Sequence, residues 1–230
     1  MSGGSGASDD VLLALAGWPG TEERILGGIC HDMNGRVAAL RGLLQLTGMG
    51  DDPRTLTEYL EDEVRRLERM ARMLALFPDH TEGGLQMMAP GEVLPDLLLL
   101  HGKHRGLEGI TTELVVDPEA PAFRASRRRL QRALLVALGA VAWSALGRGG
   151  RSLLVTCAPS GAGGLSLRVS PGKPADRSSY RAPPPLTPTD AGGERVLDAL
   201  RQVMERDRIS LESEEDEDGL RLVLLFQPLA

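Results

Sequence analysis

At 230 residues, with 42% apolar and 25% charged side chains, the chain has the composition of one large or two small folded domains, which excludes wholesale disorder and collagen-like or disulfide-stapled scaffolds. Its 26 Lys and Arg against 32 Asp and Glu leave a net charge of -6, which disfavours nonspecific attraction to nucleic acid or anionic lipid, so neither a nucleic-acid nor a membrane partner is expected. Aromatic residues, at 3%, leave little for base stacking or for aromatic-lined pockets.

Residues 1–20 begin glycine- and serine-rich and read as a flexible or short helical lead-in. They lack a basic stretch, and the apolar run 11–16 is too short for a signal-peptide core, so no export is expected. Cys30 and Cys157 stand far apart and read as reduced thiols. The longest apolar stretch, 133–146, falls short of the roughly 20 residues that cross a bilayer, and reads as the core helix of a cytoplasmic protein.

Residues 21–47 form a long helix in this reading, with Thr21 as N-cap after Pro19-Gly20 and with Glu22 and Glu23 in its first turn. A break at 48–53 precedes a second helix over 55–77, where Leu56, Leu60, Val64, Leu67, Ala71 and Leu74 recur at helical steps. Glu61 with Arg65, Asp62 with Arg66 and Glu68 with Arg72 place an acid one turn before a base, worth about 0.2–0.5 kcal/mol per pair. The two helices make an antiparallel hairpin over 21–78. One apolar stripe per helix is poorly buried by the hairpin alone, whereas two hairpins close a four-helix bundle, so a homodimer is expected. The alternative is a hairpin that packs only on its own chain.

A linker over 79–91, with Gly83-Gly84 and Pro90-Gly91, leads into a mixed region over 92–230. Its elements in order are a helix over 93–105, a strand over 110–116, a helix over 126–146 and strands over 151–158 and 165–170. A proline-rich irregular stretch over 171–188 follows, then a helix over 194–206 and strands over 209–213 and 220–226. The whole is of the α+β class: a helical hairpin followed by an α/β sandwich with a mixed sheet.

At about 100° per residue, Ile25, Leu26, Ile29, Met33, Val37, Leu40, Leu43 and Leu44 share an arc of roughly 120° on the first helix. His31 lies opposite that arc, among Gly27, Gly28, Gly35, Ala38 and Gly42. Four helical glycines cost about 3–4 kcal/mol relative to alanine, which calls for compensation. Either the segment kinks, or the bare surface lets another protein approach the imidazole. Asp32 can orient that ring through one nitrogen and leave the other as nucleophile, or it can pair with Arg36.

The run His31-Asp32-Met33-Asn34-Gly35-Arg36-Val37-Ala38-Ala39-Leu40, continuing Arg41-Gly42-Leu43-Leu44-Gln45-Leu46, resembles the phosphoacceptor segment of sensor histidine kinases. The remainder resembles that family's ATP-binding domain, with Arg129-Leu130-Gln131-Arg132-Ala133-Leu134-Leu135 like the start of its long helix. Leu211-Glu212-Ser213 and 219–228 look like its closing strands. The departures from the family are informative. Val136 and Ala140 stand where the family carries asparagines for Mg²⁺ and phosphate, Ser170-Pro171-Gly172 replaces its adenine-reading aspartate, and only Ala191-Gly192-Gly193 is left of its second glycine loop. Arg36 stands where many kinases of the family have proline, and Gly35 where many place a threonine or asparagine used in phosphatase activity.

What remains is similar to the dimeric histidine phosphotransferases derived from kinases, with a degenerate ATP-binding domain. The resemblance implies His31 as phosphoacceptor and Asp32 as its orienting partner. It implies Gly35, Ala38, Arg41, Gly42 and Gln45 as the docking surface for response-regulator receiver domains. It implies no cofactor on this chain, the receiver bringing Mg²⁺. A catalytically silent dimeric scaffold is the alternative, and an ATP-using kinase is disfavoured by Val136, Ala140 and Ser170. Other signals are weaker: His101 and His104 lack the further ligands of a metal site, and the acidic run 214–218 reads as a hairpin tip. Arg127, Arg128, Arg129 and Arg132 read as a solvated helix face, Gly172-Lys173 lacks the upstream glycine of a P-loop, and Ser178 and Ser179 have no base at motif spacing.

Overall fold

The computed structural model describes residues 8–46, 53–77, 84–161, 164–172, 190–217 and 219–228. The expected break at 48–53 except Pro53, most of the proline-rich stretch 171–188 with Ser178 and Ser179, and the first part of the linker lie outside the described residues.

A short helix α1 (Asp9–Leu15) opens the chain, its first turn closed by Ser8, whose hydroxyl oxygen accepts the Val11 N–H at 3.4 Å. Two long helices follow, α2 (Trp18–Leu46) and α3 (Pro53–Leu76), which pack on one another as a hairpin. Helix α2 begins one turn earlier than expected. Thr21 is not its cap but an internal residue, its hydroxyl donating to the Gly17 carbonyl at 3.3 Å. Beyond the hairpin come β1 (Leu85–Met88), α4 (Pro90–His101), β2 (Thr111–Val116), β3 (Phe123–Ser126) and α5 (Arg127–Gly147). The chain ends with β4 (Ser152–Pro159), β5 (Leu165–Pro171), α6 (Asp190–Glu205), β6 (Ile209–Glu215) and β7 (Leu220–Phe226).

The main sheet has five strands in the order β2-β4-β5-β7-β6, parallel only where β2 meets β4, so the expected mixed sheet and α+β class are what the structure shows. Strands β1 and β3 were not anticipated. They pair antiparallel as a separate ribbon; β1 and the first two residues of α4 lie inside the stretch read as linker.

Alternation along the strands turns Leu153, Val155, Cys157, Leu165, Leu167, Val169, Leu222, Leu224 and Phe226 to one face, where α5 lies. Helix α5 is long and apolar enough by length and composition to cross a membrane, yet it is the core helix of this fold, capped by Ser126 and touching α1, α2, α4 and α6 as well as β3, β4, β5 and β7. Beyond Arg132, where the sheet and the neighbouring helices enclose it, the helix is apolar on nearly all sides.

The lead-in takes part in that packing. Leu12, Leu13 and Trp18 are buried, and α1 rests mainly on α6. Asp10 pairs with Arg128 at 2.8 Å and Arg132 at 3.2 Å, while Asp9 pairs with Arg129 at 2.7 Å and with Arg206. Arg129 also pairs with the fully buried carboxylate of Asp207, which accepts the Ser126 N–H at 3.0 Å. Three of the arginines read as a solvated face are therefore the anchors of the N-terminal helix, and only Arg127 is half exposed with a long 3.9 Å contact to Asp96.

In the hairpin, Ile25 and Ile29 of α2 are fully buried, but further along the same stripe Val37 is 40% and Leu44 59% exposed. Helix α3 turns Leu56, Met70 and Met73 inward, whereas Val64, Ala71 and Leu74 of the expected stripe are exposed. Glu63, buried on that inward face, accepts from Arg36 of α2 at 3.3 Å and from Arg66 at 2.6 Å. The expected Asp62–Arg66 pair is thus replaced: Asp62 takes Arg65 at 2.6 Å, while Glu61–Arg65 and Glu68–Arg72 form at 3.6 and 3.9 Å.

Helix α4 stops at His101, short of the expected end, and His101 and His104 flank the turn that follows it. Both rings are buried and 6.4 Å apart, and among the described residues neither Nε2 of His101 nor Nδ1 of His104 meets a hydrogen-bond partner. Among the described residues no group of His, Cys, Asp and Glu is arranged to hold a metal ion. Burial lowers both histidines to about 4, with a further push on His101 from His104 and on His104 from Arg24. These rings are neutral in the fold and protonate in the unfolded chain near pH 6.5, so stability is full above that pH and falls between pH 6.5 and 4. For His101 the loss amounts to about 3 kcal/mol. Thermal unfolding followed between pH 7.5 and 4.5 is expected to show a falling midpoint, and His101→Leu is expected to flatten that slope.

Candidate functional site

Past Ile29 the stripe of α2 leaves the buried body of the protein, and at this border His31 points outward, its side chain 74% exposed. The wheel reading of its direction is what the structure shows. Asp32 sits beside it: one carboxylate oxygen lies 3.5 Å from His31 Nδ1, and the other accepts from the ammonium of Lys103 at 2.6 Å. Arg36, the other partner open to Asp32 in the sequence, is taken by Glu63 of α3.

The hydrogen bond from Lys103 holds the Asp32 carboxyl below its usual range; partial burial opposes the shift, while the Lys103 charge and the His31 hydrogen bond add to it. An ionised carboxylate only accepts hydrogen bonds. Where that carboxylate accepts from Nδ1–H, Nε2 of the neutral imidazole is left to offer its lone pair to solvent. An exposed imidazole with one nitrogen occupied and the other free is a nucleophile for a partner that reaches it from outside.

Lys103 reaches Asp32 because the turn after α4 lies directly on α2. The Arg105 N–H donates to the Arg24 carbonyl at 3.2 Å. A Cβ on Gly28 would stand 1.9 Å from the Lys103 carbonyl oxygen, and one on Gly27 would stand 3.3 Å from Cδ of Arg105. These two glycines therefore admit another part of the same chain, which corrects the reading of them as bare surface for a second protein. Gly35 and Gly42 differ: among the described residues a Cβ on either would meet nothing within 4 Å.

The five residues read as a docking surface, Gly35, Ala38, Arg41, Gly42 and Gln45, are all exposed along α2 beyond His31. Lys103 was absent from the sequence reading. Its contact spans 71 positions, and its one local trace is the Gly27-Gly28 pair, which marks a close approach without saying of what. In the second part of the chain, Val136 is buried on α5 and Ala140, one turn on, is partly buried. Ala191-Gly192-Gly193 falls within the first turn of α6 and Ser170 at the end of β5.

No family model and no curated protein matches the chain. Solved structures do. The histidine kinase AdeS of Acinetobacter baumannii matches at a TM-score of 0.43 and 13% identity, over 87% of this chain and 98% of that one. A bacterial phosphotransferase solved at 1.7 Å matches at 0.43 and 13%, over 89% and 95%. The histidine kinase ThkA, in complex with the response regulator protein TrrA, matches at 0.42 and 15%, over 87% of this chain and 60% of ThkA.

Alanine substitutions on α2 are expected to split by environment. Gly28→Ala forces the turn at Lys103 away and is expected to cost about 1–3 kcal/mol. Gly35→Ala and Gly42→Ala meet open space and are each expected to gain up to about 1 kcal/mol. Urea unfolding of the three variants measures the sign directly.

Proposed function

We propose that the protein is a cytoplasmic histidine phosphotransferase of a phosphorelay, passing a phosphoryl group between His31 and the aspartates of response-regulator receiver domains. The observation that carries this reading is the exposed imidazole of His31, with Asp32 on its Nδ1 side. In the forward step Nε2 attacks the phosphorus of a receiver's aspartyl phosphate in line. The N–P bond forms, the P–O bond to the aspartate breaks, and the receiver's carboxylate leaves. The ring keeps its Nδ1 proton and becomes cationic, and Asp32 accepts that proton's hydrogen bond and offsets the charge. The return step is the reverse, onto a second receiver. This chain holds no metal in that reading; Mg²⁺ bound by the receiver would supply the charge neutralisation at the phosphoryl oxygens.

The chain's own nucleotide chemistry is not part of this reading. At the two positions where the resemblance puts metal- and phosphate-holding asparagines stand Val136 and Ala140, whose side chains have no oxygen to offer. Gly35, Ala38, Arg41, Gly42 and Gln45 form the receiver's landing surface on α2, where the small Gly35, Ala38 and Gly42 let a partner's backbone come close to the helix. The uncovered Val37 and Leu44 of α2 and Val64 and Leu74 of α3 take a second copy of the hairpin, closing a four-helix bundle.

The test mixes the protein with a receiver domain carrying labelled aspartyl phosphate. Label is expected to pass to the wild type and not to His31→Ala. Receiver binding without transfer would support a silent scaffold instead, and labelling from ATP would contradict the absence of nucleotide chemistry. For the bundle, light scattering is expected to give twice the chain mass for the wild type and the single chain mass for a Val37→Glu, Val64→Glu variant.

A further inference from the structure

We propose that Lys103 is a positioning residue for phosphoryl transfer: its ammonium fixes the Asp32 carboxylate so that the carboxylate holds His31 by Nδ1. This inference rests on the reading of His31 as phosphoacceptor.

Neighbouring residues on a helix do not face each other, so Asp32 has to be drawn sideways to engage the ring of His31. The usual means would be a cation one turn along the same helix, but Arg36 is committed to Glu63 across the hairpin. Lys103 supplies the cation from another element. Its 2.6 Å contact occupies one carboxylate oxygen and leaves the other 3.5 Å from Nδ1, so a single carboxylate bridges the lysine and the imidazole.

The lysine is itself held in place. Its N–H donates to the Leu100 carbonyl at 3.0 Å, and the neighbouring Arg105 N–H ties the turn to Arg24 of α2. Gly28 gives its carbonyl room against α2, and the buried His101 and His104 anchor the turn on either side. With 24% of its side chain exposed, Lys103 is more sheltered than the histidine it serves. Two histidines that take no part in transfer thus acquire a purpose, because they seat the turn that aims the lysine. The positive charge also half-neutralises Asp32, so that the carboxylate repels an incoming phosphoryl group less than it would alone.

The experiment compares wild type, Lys103→Met and Lys103→Arg by two measurements: the rate of label transfer from a phosphorylated receiver, and the tautomer of His31 by nitrogen NMR in the free protein. In wild type the Nδ1–H form is expected to dominate. Lys103→Met is expected to slow transfer about tenfold or more with receiver affinity unchanged, and to give a mixture of tautomers. Lys103→Arg is expected to restore both. Combined with Asp32→Asn, Lys103→Met is expected to add no further loss, because it acts through that carboxylate. A Lys103→Met protein that transfers at the wild-type rate with the wild-type tautomer overturns the inference while leaving His31 as acceptor. A wild type that takes up no label overturns the underlying reading instead. If Lys103→Met does not fold, Lys103→Gln carries the same comparison.

Discussion

The structure turns on the need of α5 for cover on the side its sheet does not supply. An apolar helix of 21 residues lies on the sheet, and the chain returns to it with α1, Trp18 and the first third of α2, where Ile25 and Ile29 are fully buried. That burial is worth about 1.5–3 kcal/mol for each large side chain and fixes where α2 meets the rest of the protein. It also fixes where the contact ends. Just past Ile29 the helix begins to leave the body, and His31 is placed at that edge, close enough for Lys103 to reach Asp32 and far enough for its ring to stay in water.

The glycines of α2 divide along the same line. Gly27 and Gly28 are offset within the chain by a close contact with the Lys103–Arg105 turn. Gly35 and Gly42 have no such offset, and together they cost the helix about 2 kcal/mol relative to alanine. A helix that keeps bare positions below an exposed imidazole, with neighbouring apolar side chains uncovered on its other face, has the surfaces that the proposed function uses: one face for a receiver, the other for a second hairpin.

Helices and long strands were legible in the sequence because their periodicity is local. The outward direction of His31 was legible for the same reason: helical geometry fixes it once the apolar arc is drawn. Strands β1 and β3, of four residues each, were not, since so short a run carries no alternation to read. The N-terminal strap was missed because Asp9 and Asp10 look solvated until Arg128, Arg129 and Arg132 are brought to them from more than a hundred positions away. Lys103 was missed on the same ground. On α3 the periodicity picked out Val64, Ala71 and Leu74, a stripe that a single chain leaves exposed while Met70 and Met73 face inward. The apolar period is real there, but it does not say whose surface it meets.

The central claim is that Asp32 occupies Nδ1 of His31 and leaves Nε2 to accept phosphorus from another protein. Phosphorus and nitrogen NMR on the chain after exposure to a phosphorylated receiver domain locates the bond directly. A phosphoryl group on Nε2 of His31 is the result expected; one on Nδ1, or on any other side chain, would contradict the claim.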